Sequence, residues 1–591
     1  MEAGSLTQKK TRLKTRCRFL QINVSSLTLA LASSLLVPLL PVKAQSAPPI
    51  SVDQSAQELL RQQERERQLR EQQERTPDVR LEAPAADAAL RLPIDERPCF
   101  PVRRIELAGE AADRFRWALK AADPSYDPAT GGCLGTEGVN TVLKRVQNAI
   151  VARGFVTTRV LAAPQDLTGG VLTLTLLPGR IRAIRFVEGT DSRATVWNAL
   201  PAQPGDLLNL RDIEQGLENF KHVPTAEADI QIAPTEGDDA RPGDSDLLIR
   251  WVQSRRFRAN LSMDDSGSAA TGELQAGATL SWDHLLRAND LFYLNLGHDV
   301  FNHEGQGTRS WTIHYDAPLG YWLLGATASG YEYHQSVDGD SQSYVYSGSS
   351  HNAELRVSRL LFRNATIKSG AYGRGWYRDS DNFIDDTEVL VQRRRMAGWE
   401  VGLTHRQFIG AATLDANVAV RHGTGAFDAL PAPEEAFGEG TSRSKLITAD
   451  AQLSVPFQWG KQRLRYTGAW RAQWNRTPLV PQDRFAIGGR YTVRGFDGEA
   501  SLSGERGWLW RNDLGLTLGG GQELYLGADV GHVSGPSTQR QLGNRLAGAV
   551  IGLRGGAGRA YWDLFVGAPI DSPDGFPTAY TTTGFNLSWS Y

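Results

Sequence analysis

From residue 255 to the C-terminus, apolar and polar positions alternate with a period of two. Phe292, Leu294 and Leu296 alternate with Tyr293, Asn295 and Gly297, and Trp311, Ile313 and Tyr315 with Thr312, His314 and Asp316. Leu514, Leu516 and Leu518 alternate with Gly515, Thr517 and Gly519, and Leu524, Leu526, Ala528 and Val530 with Tyr525, Gly527, Asp529 and Gly531. Successive side chains of a strand point to opposite faces, so one face is apolar and the other small or polar. A soluble sandwich also alternates. Here residues 255–591 divide into about sixteen strands at ~21 residues per strand and loop, the size of a membrane β-barrel. In hydrocarbon every backbone group must be paired, so the strands are expected to close into a ring. Candidate strands are 464–475, 508–518, 523–532, 545–556 and 559–568. A last one, 583–591, is aromatic or apolar at Phe585, Leu587, Trp589 and Tyr591.

Before residue 255 the pattern is mixed and repeats. Val102–Leu107 reads as a strand, 113–120 and 137–152 as helices, and Phe155–Val160 and Val171–Leu177 as strands. The same order follows at Ile181–Val187, helices 192–200 and 210–221, and strands Ala226–Ala233 and Leu247–Val252. Asn209 can cap the helix that carries Leu210, Ile213, Leu217 and Phe220 on one side. Two β-α-α-β-β units, 99–181 and 182–253, make an internal repeat whose order resembles POTRA domains.

Residues 45–76 hold a polar helix. Between Ala56 and Arg75 five arginines balance five glutamates among six glutamines. Glu66–Arg70 and Glu71–Arg75 stand at i,i+4, so intrahelical pairs are expected. With Leu59, Leu60 and Leu69 as its main apolar residues, such a helix stands in water or in a polar channel. Residues 77–98, rich in Ala, Asp and Pro, read as a semi-extended linker. The chain begins with a basic stretch through Lys9, Lys10, Arg12, Lys14, Arg16 and Arg18, an apolar core from about Leu27 to Leu40 and a small-residue site at Ala44. That is the plan of a secretory signal peptide over 1–44.

Charge sharpens this reading. The net charge of −2 combines +6 in residues 1–44 with −8 in the remainder, which speaks against nucleic-acid binding. Loss of Cys17 with the signal leaves Cys99 and Cys133, which can pair in an oxidising compartment. No P-loop, His-Glu-x-x-His or Gly-x-Ser-x-Gly motif occurs, so no enzyme, metal or cofactor is implied. Asp379, Asp381, Asp385 and Asp386 near Asn382 read as a solvated loop, and Arg393–Arg395 as a solvated or lumen-facing patch.

The order signal peptide, polar helix, linker, two POTRA-like units and barrel resembles the two-partner secretion transporters, the haemolysin secretion/activation (TpsB) family. The stretches that carry the resemblance are PCFPVRRIELAG at Pro98–Gly109, GFVTTRV at Gly154–Val160, GDLLNLRDIEQGLE at Gly205–Glu218 and VRGF at Val493–Phe496. VRGF lies between candidate strands, with four or five strands still to come. The resemblance implies a transmembrane β-barrel (254–591) of about sixteen antiparallel strands, preceded by two α/β POTRA domains and an N-terminal helix that plugs the pore. It implies an outer-membrane pore whose periplasmic POTRA domains receive an unfolded exoprotein, of haemolysin or adhesin type, with an N-terminal two-partner secretion domain. Further partners are outer-membrane lipid and, during biogenesis, the barrel-assembly machinery. An alternative is a barrel-assembly insertase of the same superfamily.

Within this frame Leu59, Leu60, Arg61, Glu66 and Arg70 belong to the plug. Client binding is expected beside helix 210–221, with exposed Arg211, Glu214 and Glu218 as rim. In the family the VRGF loop folds back into the barrel and its arginine meets an acidic residue of the wall. For Val493, Arg494, Gly495 and Phe496 the alternation offers Asp529 as the favoured lumen partner of Arg494 and Asp563 as the second.

Overall fold

The alternating segments close on themselves. Among the described residues sixteen antiparallel strands form the wall of a closed barrel, from Phe257–Asp264 to Thr582–Ser590. The ring is sealed where these two strands pair, Leu261 opposite Trp589 and Met263 opposite Leu587. The computed structural model describes residues 52–75, 77–81, 90–235, 241–301, 305–339 and 342–591. The signal peptide expected at 1–44 lies outside them. Outward positions such as Leu280, Leu296, Leu526 and Ile551 are exposed, while Tyr293, Thr312, His314 and Asp529 on the opposite face are buried. A wall with an apolar exterior and a polar interior is what a bilayer selects. The strands expected at 464–475, 508–518, 523–532, 545–556, 559–568 and 583–591 are all present within a few residues.

Asp379, Asp381 and Asn382 are not in a loop. They continue the long strand Ile367–Ile384. Asp379 pairs with Arg395 at 3.3 Å and Asp381 with Arg393 at 3.5 Å, so the arginine run neutralises the acidic cluster strand to strand.

In the first α/β unit Val171–Leu177 lies between a parallel neighbour, Arg104–Ala108, and an antiparallel one, Arg159–Leu161. Helix Thr136–Ala152 packs Val142, Val146 and Ile150 against Leu172, Leu174 and Leu176. Two expectations shift here. The helix expected over 113–120 is broken into Ala112–Phe115, a 3-10 turn and Leu119–Ala122. The strand expected from Phe155 starts only at Arg159, because the Phe155 ring packs edge-on against Phe115, with centroids 4.9 Å apart. Cys99 and Cys133 are joined, with Cα atoms 5.3 Å apart, and tie the two-residue strands Phe100–Pro101 and Cys133–Leu134.

The C-terminal part of the linker is not free. Glu96 accepts the backbone N–H groups of Gly135, Glu137 and Gly138 at 2.8, 2.6 and 2.9 Å and so caps helix Thr136–Ala152. Desolvation opposes the ionised form of Glu96, but these three donors outweigh it and hold its carboxyl below the usual range.

The second unit repeats the plan. Asp244–Gln253 lies between parallel Arg180–Phe186 and antiparallel Ala226–Pro234. Asn209 caps helix Leu210–Phe220 by accepting the N–H of Arg211 at 2.9 Å. The helix expected over 192–200 is replaced by turns. Its side chains serve the barrel rim: Asn198 donates to the carbonyl of Pro318 at 2.9 Å, and Arg193 to that of His284 at 2.5 Å. Tertiary hydrogen bonds override the modest helix propensity of a Thr-Val-Trp-Asn stretch.

Candidate functional site

The lumen is occupied. Helix Val52–Gln73 stands inside the barrel, and its polar side chains reach the wall on several sides. Glu64 receives both terminal nitrogens of Arg471 at 2.6 and 2.8 Å. Arg65 donates to Gln275 at 2.7 Å, and Arg70 pairs with Glu354 at 2.6 Å. Glu58 accepts from Ser268 at 2.7 Å and Tyr331 at 3.1 Å. Leu59 is buried among Tyr331, Tyr333 and Tyr346. Leu60 and Arg61 face a cavity shared with Arg421, Arg471 and Phe496, and Arg61 donates to the carbonyl of Gly498 at 2.7 Å.

The expected i,i+4 pairs are replaced by a wall contact and by other bonds within the helix. Arg70 turns to Glu354, and Glu66 accepts from Gln62 at 3.3 Å. Glu71 pairs with Arg67 at 3.1 Å, while Arg75 bonds the Glu71 carbonyl. For Arg70 the wall carboxylate of Glu354 supplies the charge-assisted bond in place of Glu66.

Residues 476–505, between strands Gln462–Asn475 and Arg506–Gly519, fold back into the barrel. Strands Phe485–Ile487 and Leu502–Gly504 pair as the loop's stem. Val493 and Phe496 are buried with Ile487, Leu509, Val533 and Leu546. That apolar anchor fixes Arg494 between two wall strands. Its Nε donates to Asp529 Oδ2 at 2.7 Å and its Nη2 to Oδ1 at 2.9 Å, a bidentate fork, and its backbone N–H adds a third bond at 3.1 Å. Nη2 also reaches Asp513 Oδ1 at 2.6 Å.

Small residues make the approach possible. A Cβ on wall Gly548 would lie 2.0 Å from the Arg494 carbonyl, and one on Gly527 would lie 2.7 Å from Nη2. Gly495 has a φ of +95°, and a Cβ there would meet the Ala568 carbonyl at 2.5 Å. Asp563, two strands from Asp529, does not bond Arg494; it accepts the hydroxyl of Tyr525 at 2.9 Å. Asp513 was missed, although its signal was legible: it precedes Leu514 in a strand whose Leu514, Leu516 and Leu518 face lipid, so it must face the lumen.

Arg211, Glu214 and Glu218 are not an exposed rim. All three are buried. Arg363, from the periplasmic end of a barrel strand, donates to Glu214 and Glu218, each at 2.8 Å, and Arg211 pairs with Glu214 at 2.6 Å. The helix periodicity identifies the apolar face, but a second face is covered by the barrel, which periodicity does not report. Nearby His222 bonds Asp316 at 2.6 Å, and Thr225 donates to Asp283 at 2.8 Å.

A closed outer-membrane barrel with a folded-back loop, a polar helix in its lumen and two POTRA units defines a POTRA-barrel transporter. The family model for haemolysin secretion/activation protein ShlB/FhaC/HecB matches residues 243–555, a ShlB-type POTRA model matches 100–179, and a POTRA model matches 180–234. The chain belongs to this haemolysin secretion/activation family of outer-membrane transporters, and its POTRA domains are periplasmic. It is similar to outer membrane transporter CdiB-2 of Burkholderia pseudomallei strain 1026b, 37% identical over 546 residues covering 89% of this chain and 92% of that one. It is 27% identical over 538 residues to outer membrane transporter CdiB of Dickeya dadantii strain 3937, covering 89% and 92%. Among solved structures, CdiB from Acinetobacter baumannii matches with a TM-score of 0.81 and 31% identity over 93% of this chain and 100% of that one. CdiB from Escherichia coli shares the fold, with a TM-score of 0.78 and 24% identity over 93% and 100%.

Proposed function

We propose that this transporter receives an unfolded exoprotein, of the haemolysin or adhesin class and carrying an N-terminal two-partner secretion domain, on its POTRA units and passes it through the barrel to the cell surface. The protein acts as a conduit rather than an enzyme and uses no cofactor, metal or nucleic acid. Its apolar exterior contacts outer-membrane lipid, and its C-terminal aromatic strand addresses it to the barrel-assembly machinery. The observation that carries this reading is the plug. A lumen wide enough for a helix is filled by one held through ion pairs and side-chain hydrogen bonds, with little apolar burial beyond Leu59. Polar contacts exchange readily with water once the helix moves. The insertase alternative carries more POTRA units as a rule and lacks the polar plug helix.

A crosslink joining cysteines placed at Arg65 and Gln275 tests the reading. These side chains touch at 2.7 Å. The linked protein should insert normally and secrete none of a co-expressed partner exoprotein, and reduction of a cleavable linker should restore export. Undiminished secretion with the plug locked in place would overturn it.

A further inference from the structure

Residues 78–81 run through a slot between helix Leu210–Phe220 and the periplasmic rim of the barrel, and the bonds that hold them are unusual for a linker. The N–H of Val79 donates to Glu218 at 2.9 Å, and that of Leu81 to Glu214 at 2.8 Å. Arg363 donates to the Val79 carbonyl at 2.5 Å. Glutamates four apart on a helix are separated by about 6.0 Å along its axis, and alternate N–H groups of an extended chain by about 6.6 Å. The helix therefore presents two carboxylates in register with one edge of an extended peptide. Val79 and Leu81 lie against the core of the second POTRA unit. Asp78 pairs with Lys368 and Arg406, each at 2.6 Å, and the Arg80 guanidinium stacks 4.1 Å over Phe408.

Resting on the transport reading above, we propose that this slot is a receptor for an extended segment of the exported chain, and that residues 78–81 fill it at rest as an internal competitor. The occupant is an unfolded polypeptide with apolar residues at alternate positions and an acidic residue ahead of the first of them. Three features favour a receptor over a fixed strut. Recognition runs through main-chain N–H and C=O groups, which every unfolded client presents. The slot's own groups also bond one another directly: Arg363 donates to Glu214 and Glu218. The linker is a tethered ligand, with an effective concentration on the order of millimolar that a free client must outcompete. A client that binds more tightly displaces it. The plug helix ends at Gln73, six residues before Val79, so displacement also releases the chain that follows the plug.

The test uses the full chain in detergent and a fluorescein-labelled peptide, Pro-Asp-Val-Arg-Leu, matching residues 77–81. Val79→Pro with Leu81→Pro removes both N–H donors from the tethered linker without touching a folded unit. The peptide should bind this double variant at least tenfold more tightly than it binds the wild type. N-methylation of the peptide at its Val and Leu nitrogens should erase the gain. Equal affinity for the two proteins, binding to neither, or undiminished binding of the methylated peptide overturns the proposal. Secretion by the wild type in cells is scored separately, so failure of the slot is distinguishable from failure of the transport reading.

Discussion

Arg494 shows what one residue contributes and how it could be found. Its fork onto Asp529 is buried, with Asp513 as a second acceptor. Removing one member of a buried pair leaves an uncompensated charge and costs about 3–5 kcal/mol. Arg494→Ala should therefore stop secretion at unchanged outer-membrane levels. Arg494→Lys should be impaired, because an ammonium does not reproduce the planar fork. Asp529→Ala should resemble Arg494→Ala, and the double alanine variant should be no worse than either single one; full additivity in that cycle would break the pairing. Asp513→Ala should be milder, since the bidentate bonds to Asp529 remain. Strict alternation made Asp529 legible because the wall has a hard periodicity and one face meets lipid. The same rule covers Asp513, and it places Asp563 in the lumen without saying which of these strands the loop approaches. That depends on the apolar seat of Val493 and Phe496, a tertiary fact.

At the scale of elements, the sequence reports what a segment is more readily than what covers it. The plug helix, the capped helix Leu210–Phe220 and the barrel strands were all legible from period and caps. The partners of their polar faces were not: Arg70 finds Glu354, and Glu214 and Glu218 find Arg363, hundreds or more than a hundred residues away. Segment 192–200 failed as a helix for the same reason, since the barrel rim takes its side chains. The plug's bonding predicts its behaviour. Deleting residues 52–75 should leave heat-modifiable barrel mobility intact and raise single-channel conductance in planar bilayers, because the wall closes through its own ladders. Arg471→Ala removes both bonds to Glu64 and should make brief openings more frequent with the helix still present. Conductance unchanged by the deletion would reduce the helix to a bystander.

At the scale of the whole molecule, the periplasmic and membrane parts are joined by a titratable seam. His222, just beyond helix Leu210–Phe220, is buried against Asp316 of the barrel, with Asp283 and Asp290 also near it. Asp316 further contacts His314, which in turn faces Glu74 at the end of the plug. Burial disfavours the His222 imidazolium, but the carboxylates outweigh it and raise its pKa above the ordinary 6.5. A histidine whose pKa is higher in the folded state binds its proton more tightly there. Its contribution is fully present below about 6.5 and is lost as pH rises through the raised folded value. Docking of the second POTRA unit on the barrel should therefore loosen as pH rises above 6.5 through that raised value. Fluorophores on that unit and on the barrel rim should separate as pH is raised, with barrel mobility unaffected. His222→Gln keeps a hydrogen-bond donor without a charge, so it should dock less firmly at low pH and show little pH dependence. A His222→Gln protein whose docking still follows pH as the wild type does would place the titrating group elsewhere on the seam.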